Sequence, residues 1–515
     1  MSAPVTLVAG RFVVRGVSAE GEPWIVDDGA VLIRDGVIER VGPAAELRAL
    51  HPDASVHGGS RYVVVPGFVN AHHHVGLTPL QLGSMDGPLE LWLAARLAER
   101  DVDPRLDTLY SAFEMIESGV TTVQHLRTAP LGTSVASTLE GSRAIIGAYQ
   151  DLGMRVSYSY WTRDQNFLAH EDDASFAARL PAADGAQLRT LLATGEISAE
   201  QSFEVFERLR REYADQPTVA VQLAPANLHW CSDTILMELR ELSWRSGAPL
   251  HMHLVETAYQ REYARRRSGA SAVEHLAELG LLGPLLTLGH AVWVGDADIA
   301  LLGRTGTRVC HNCSSNLRLR SGIAPLMAML DHGVRVGLGM DEAGVNDDRD
   351  MLQELRMVLS VHRRPGLDPA QVPSAAQVLR LATEGGAGTT GFADRVGRLE
   401  PGLAADLVVL DWERLAGPYL DAAVPAVEAL VRRGKARHVQ TVLVGGRVVY
   451  DGGRFLLDRE ETNAALAERM AGAPSAAEQR RRALAEVVAR HLPAVYQSYL
   501  GPAGLTPYYS SNARE

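Results

Sequence analysis

Pro66-Gly67-Phe68-Val69-Asn70-Ala71-His72-His73-His74 is an apolar run that stops in three histidines. In an extended strand, residues two apart point the same way. His72 and His74 therefore share one side, and His73 faces the other. Two imidazoles on one side of a strand end are half of a zinc-type site; the competing reading is a histidine-rich surface loop. Three later apolar runs decide between them. His251-Met252-His253 ends one, with Glu256 three residues on; Leu288-Gly289-His290 ends another; Gly337-Leu338-Gly339-Met340-Asp341 ends a third. Ligand-type residues gathered at the C-terminal ends of several strands are the arrangement of a closed parallel barrel.

Working outward, eight strand candidates alternate with amphipathic stretches: Val64–Asn70, Thr121–His125, Arg155–Tyr158, Val219–Ala224, Leu250–Leu254, Leu285–His290, Arg308–His311 and Val334–Met340. Helical spacing fills Leu106–Ser118, Ser232–Ser246 and Met351–His362. Eight alternating pairs predict an α/β fold, a (β/α)8 TIM barrel. The flanks read differently. Val5–Val8, Phe12–Val14, Val31–Ile33, Val37–Val41 and Tyr62–Val65 are short β runs, and the texture returns at Leu407–Leu410, Val439–Val444 and Arg447–Tyr450, with Gly445-Gly446 as a hairpin turn. These segments predict one small discontinuous β-sandwich domain beside the barrel. The expected boundaries are 1–65 and 396–457 for that domain, 66–395 for the barrel and 458–515 for a C-terminal helical extension broken at Gly472 and Pro474. Arg163–Glu200 and Gly501–Glu515 are left open by the sequence.

Composition sets limits. The 515 residues are 46% hydrophobic and 22% charged, ordinary for a globular chain with a large core. Net charge is −12 with no long basic run, which argues against nucleic acid or an anionic membrane as partner. No apolar stretch approaches the ~18 residues of a membrane span, and the N-terminus lacks the pattern of a secretory signal. Three cysteines, Cys231, Cys310 and Cys313, make no disulfide framework; together these features predict a cytoplasmic protein. Cys310-His311-Asn312-Cys313 contains a CxxC without a second pair, so its thiols read as buried and inert.

On these residues the chain resembles the amidohydrolase superfamily, in its metal-dependent deaminase and triazine-hydrolase branch (cytosine deaminase-like and chlorohydrolase-like). The matching pieces are Pro66 to His74, Gly119-Val120-Thr121-Thr122, His253-Leu254-Val255-Glu256-Thr257, Gly289-His290, His311 to Leu317, the Asp341 strand end, and Gly397-Arg398-Leu399-Glu400-Pro401-Gly402 running into Ala404 to Val408. The resemblance implies metal ligands at His72, His74, His253 and Asp341, Glu256 as proton shuttle, and His290 as a contact of the attacking water. It implies one divalent metal ion, zinc first, with iron or manganese as alternatives, and a homo-oligomer. Binuclear relatives bridge two metals with a carboxylated lysine on strand four; here Val219–Ala224 has none, and the only lysine of the chain is Lys435. His251 shares a face with His253 and reads equally as a structural or a substrate residue.

The implied reaction is hydrolytic deamination of a small aminated nitrogen heterocycle by a metal-activated water. The same site would serve for dechlorination or dealkylamination of a triazine-type ring, or for opening a cyclic amide, and a catalytically inactive scaffold is a distant third. Candidate substrate contacts are Gln81, Trp92, His125, Asn227, His229, Trp293, Asn312 and Glu342, with Gln124 and Trp230 beside them; aromatic and amide groups suit a flat, hydrogen-bonding ring. Of Gln124 and His125, only one can face the lumen. Two departures argue against thioadenosine-type substrates: Ala226 stands where adenosine-type deaminases usually carry histidine, and Leu80-Gln81-Leu82 where a leucine-arginine-glycine pattern is usual.

Overall fold

Gly67 is where the chain changes sheets. The strand before it ends at Pro66 and the strand after it begins at Phe68, and a Cβ at position 67 would stand 2.2 Å from the Thr121 hydroxyl oxygen. Glycine is required by that close approach, and it splits the first expected barrel strand, Val64–Asn70, between two domains. The computed structural model describes residues 5–128, 132–497 and 499–500.

The small domain opens with β1 (Val5–Val17), β2 (Pro23–Arg34), β3 (Val37–Pro43) and β4 (Ser55–Pro66). The barrel follows: β5 (Phe68–His73), β6 (Val120–Arg127), β7 (Arg155–Thr162), β8 (Val219–Pro225), β9 (Leu250–Leu254), β10 (Leu286–His290), β11 (Arg308–His311) and β12 (Arg335–Leu338). The chain then returns to the small domain with β13 (Leu407–Asp411), β14 (Val439–Val444), β15 (Arg447–Asp451) and β16 (Arg454–Phe455). Barrel strands lie side by side in sequence order and parallel. The ring closes at its C-terminal mouth, where the Asp341 amide donates to the His72 carbonyl at 2.8 Å.

The flanking segments join by antiparallel pairing of β4 with β13, Leu407 opposite Pro66 and Val409 opposite Val64, into one connected eight-stranded sheet. Val5–Val8 and Phe12–Val14 are a single strand; the pairing with β4 shifts register between Gly10 and Phe12, a bulge that absorbs the break expected there. The predicted hairpin is β14–β15, with Gly445 and Gly446 at φ 53° and 73°, the left-handed pair of a tight turn. A buried ion pair docks the two domains: the Arg155 guanidinium on β7 grips Asp406 at 2.6 and 3.0 Å.

Two features shape the mouth. Helices Leu89–Ala95 and Arg96–Ala98 lie over it, and the extension forms helices Arg459–Ala471 and Ala476–Tyr496, the second covering the first pair. Leu484, Val487, Val488 and Leu492 cluster there with Ala94, Phe176 and Leu188. Phe176 and Leu188 come from helices Asp173–Arg179 and Ala182–Ala193, which fill the stretch the sequence left open. Residues 501–515 lie outside the described residues. Among the described residues no helix is long and apolar enough to cross a membrane.

Candidate metal centre and active site

β5 is buried along its whole length, so strand alternation alone decides which histidines face inward. His72 and His74 do. Their Nε2 atoms lie 3.0 Å apart, and the Nε2 of His253 from β9 lies 3.0 and 3.2 Å from them. Asp341 Oδ1 completes the group, 3.2 Å from His74 Nε2 and 3.7 Å from His72 Nε2. A tetrahedral ion with bonds of about 2.0–2.1 Å sets its donors about 3.3–3.4 Å apart, so three imidazoles and a carboxylate at these separations fit one ion. The other ring nitrogens aim the lone pairs. His74 Nδ1 donates to the Leu126 carbonyl at 2.7 Å, His253 Nδ1 donates to the Ala226 carbonyl at 2.9 Å, and His72 Nδ1 meets His251 Nε2 at 2.9 Å. Burial holds His72 and His253 well below the usual imidazole range, in the neutral form that binds a cation. Burial pushes Asp341 up, but the hydrogen bond and charge of His74 outweigh it and hold the carboxyl well below its ordinary range.

Glu256 and His290 stand beside this group. Burial raises the Glu256 pKa, and its carboxylate accepts from the Ser321 hydroxyl at 3.1 Å. His290 spans the space between the two acids, with Nδ1 3.7 Å from Glu256 and Nε2 3.8 Å from Asp341. Asn312 and Asn316 fix its ring: the Asn312 amide donates to Nε2 at 3.2 Å, and Nδ1 donates to Asn316 at 2.8 Å. Val255, His290 and Asp341 have φ of 40°, 68° and 56°. Left-handed backbone at non-glycine residues is strained and clusters where a side chain must be aimed; here it bends three strand ends toward one point.

The expected substrate contacts divide. Glu342 has an oxygen within 4.8 Å of donors of His74 and Asp341, Asn312 bonds His290, and Trp92 lines a small cavity with Glu342 and Ser315. Trp293 reaches the centre indirectly, its indole N–H donating at 2.7 Å to the carbonyl of Ser321, the residue that holds Glu256. Asn227 caps its own turn, accepting from the Leu228 amide at 2.7 Å, while its backbone bridges to His253. Three expectations are corrected. His125 faces out of the lumen, bonded to the Tyr149 hydroxyl at 3.0 Å and stacked on Tyr158, because Gln124 takes the inward side of β6. Gln81 is exposed and ties Thr78 to Tyr110 on the outer surface, beside helix Arg459–Ala471. His229 is buried against His170 and Trp230, both ring centres 4.4 Å away, under the C-terminal tyrosines. His311 also turns outward, its Nε2 2.9 Å from His362 Nε2. All three cysteines are buried and free, and burial pushes the Cys231 thiol up to about 12.

Sequence reasoning missed several residues. Trp161 on β7 sets its indole edge-on to His74 and His253, at 5.5 and 5.2 Å; β7 is buried on both faces, so alternation gave no hint. Ser315 donates to Asp341 Oδ2 at 2.5 Å. Arg349, fully buried, donates to the carbonyls of Val75, Gly76 and Glu342 and so ties the chain after β5 to the chain after β12.

Residues 63–449 match the amidohydrolase family, and 29–54 match an imidazolonepropionase-like composite domain of bacteria. The chain is similar to the 5-methylthioadenosine/S-adenosylhomocysteine deaminase of Syntrophobacter fumaroxidans, 31% identical over 435 residues that cover 84% of this chain and 90% of that one. It is also similar to the 5'-deoxyadenosine deaminase of Methanopyrus kandleri, 28% identical over 455 residues, 87% and 95% of the two chains. Among solved structures, a zinc-bound adenosine deaminase from Xanthomonas campestris has a TM-score of 0.75 at 24% identity, over 94% of this chain and 100% of that one. The zinc complex of atrazine chlorohydrolase from Arthrobacter aurescens has a TM-score of 0.71 at 21% identity, over 90% and 99%. At these identities the two structures speak to the fold.

Proposed function

The chain belongs to the amidohydrolase family, and from that premise we propose that it is a metal-dependent hydrolase that deaminates a small aminated nitrogen heterocycle. The observation that carries the reading is the meeting of the His72, His74 and His253 Nε2 atoms within 3.0–3.2 Å of one another beside Asp341. These four residues would hold one divalent ion, zinc first because zinc is bound in the structural relatives, with iron and manganese accepted by the same donors. The ion, when bound, brings the pKa of a water from about 15.7 towards 7 and so supplies a nucleophile at neutral pH. Asp341 orients that water and accepts its proton. Glu256, which burial inclines to hold a proton, protonates the ring nitrogen. Reloaded with the proton that Asp341 took from the water, it protonates the departing amine, and the proton of the remaining hydroxyl returns it to the acid form as ammonia leaves. His290, fixed by two asparagines, lines the space between the two acids in which the charge develops.

The relatives' names favour ammonia as the leaving group. Two positions depart from the usual adenosine-type pattern and speak against a thioadenosine-type substrate: Ala226, where a histidine is usual, and Leu80-Gln81-Leu82, where a leucine-arginine-glycine pattern is usual. In Glu256→Gln, the ammonia-release rate on any accepted heterocycle is expected to fall at least about 100-fold while the metal stays bound. Undiminished turnover by that variant contradicts the mechanism. Release of chloride or alkylamine in place of ammonia would move the reading to the triazine-type reaction on the same residues.

A further inference from the structure

Glu342 follows Asp341 directly and uses only one of its two carboxylate oxygens. Oε1 accepts from Arg96 on the helix over the mouth, whereas Oε2 is buried without a partner. A Glu342 oxygen, a His74 nitrogen and an Asp341 oxygen all lie within 4.8 Å of one another, so a ring seated at the metal centre brings an edge against Glu342. The residue also lines a cavity of about 10 Å³ with Trp92 and Ser315. That is room for one water. Trp92 is equally buried, and its indole N–H has no acceptor. One wall of the centre thus carries an unused acceptor and an unused donor, each costly to leave unpaired.

The charge on this wall is lopsided. Arg96 is shared between Glu342 and Glu99, whose carboxylate it meets at 3.1 and 3.2 Å. One guanidinium thus serves two acids; Asp341, spent on the divalent ion, adds nothing to that excess. Arg318 lines the same cavity and is neutralised there by Asp86 and Asp347. A negative wall attracts donors and cations and repels anions.

We propose that Glu342 determines specificity by accepting a hydrogen bond from a second N–H of the substrate ring, one other than the amino group that leaves, while Trp92 donates to an acceptor on the same edge. The inference rests on the deaminase reading and narrows it. The substrate is a ring with at least two nitrogen donors, neutral or cationic, and carries no carboxylate or phosphate at that edge.

The test is steady-state ammonia release from matched pairs in which the poorer member has no N–H besides the amino group that leaves, 2,6-diamino-9-methylpurine against 9-methyladenine and 2,4-diaminopyrimidine against 4-aminopyrimidine, with wild type, Glu342→Gln and Glu342→Asp. Wild type is expected to favour the amino-richer member by about tenfold or more in kcat/KM. In Glu342→Gln that ratio falls towards one, chiefly through KM, with metal content unchanged, and Glu342→Asp retains part of it. A residue that served only to hold Arg96 would change both members alike. An unchanged ratio in an active, metal-loaded Glu342→Gln or Glu342→Asp overturns the inference and leaves the deaminase reading standing. No ammonia from any pair with metal-loaded wild type overturns both.

Discussion

Behind the ligand loop, Ser314 donates both its hydroxyl and its amide to Glu354, a fully packed acid whose pKa burial pushes up to about 7. A folded value above the unfolded 4.5 means that the folded chain binds the proton more tightly. The stability this adds is complete below the unfolded value and is lost as pH rises through about 7. Glu90, bonded to Thr257 and also raised to about 7, acts in the same window. Glu354→Gln should therefore lose less stability than wild type between about pH 5 and pH 8, a difference of roughly 3 kcal/mol at most. Denaturation midpoints across that range check it; parallel curves for the two proteins would count against it. At this scale the meeting of His72, His74, His253 and Asp341 was legible because alternation and strand ends bring them to one mouth; their reading as metal ligands comes from the family resemblance. His125 and Gln81 were not, because a buried strand offers two hidden faces and a loop offers no period. Trp161 and Arg96 act from strands and helices whose relation to the centre exists only after folding.

Among the elements, the strand ends and the domain junction bear the strain of the design. Arg155 on β7 and Asp406 at the start of β13 are both buried, and Asp406 also accepts from the Gly445 amide at 2.7 Å. Removing one member of a buried pair leaves the other charge uncompensated. Asp406→Ala is expected to cost about 3–5 kcal/mol while leaving the metal ligands in place, measured as a shift of the denaturation midpoint beside the metal content. A loss under about 1 kcal/mol would mean that the junction is held otherwise. Element positions followed from the sequence wherever apolar runs were bounded by turn residues: β9 and β11 start and stop where expected. The sequence put the boundary at 65/66 but let the strands Tyr62–Val65 and Val64–Asn70 overlap, because Tyr62 to Asn70 reads as a single apolar run; contact of Gly67 with Thr121 shows where the two sheets part. The extension's helices were readable, but not their seat over the mouth, which depends on side-chain packing between distant segments.

Taken whole, the molecule is a barrel whose mouth closes through the same residues that gather the metal donors: the bond from the Asp341 amide to the His72 carbonyl joins β12 to β5 and sets two ligands face to face. Fold and site are in that sense one construction, which is why reading the strand ends gave both. With no lysine on β8, and with Lys435 just before β14, a carboxylated lysine bridging two ions on that strand is ruled out, and one ion is the proposed content. Metal content per chain, measured on freshly purified protein with ammonia release assayed on the same sample, tests this most directly. The account predicts about one divalent ion per chain, lost together with ammonia release in His253→Ala. A chain that holds no ion, and gains no activity on addition of zinc, iron or manganese, would contradict it.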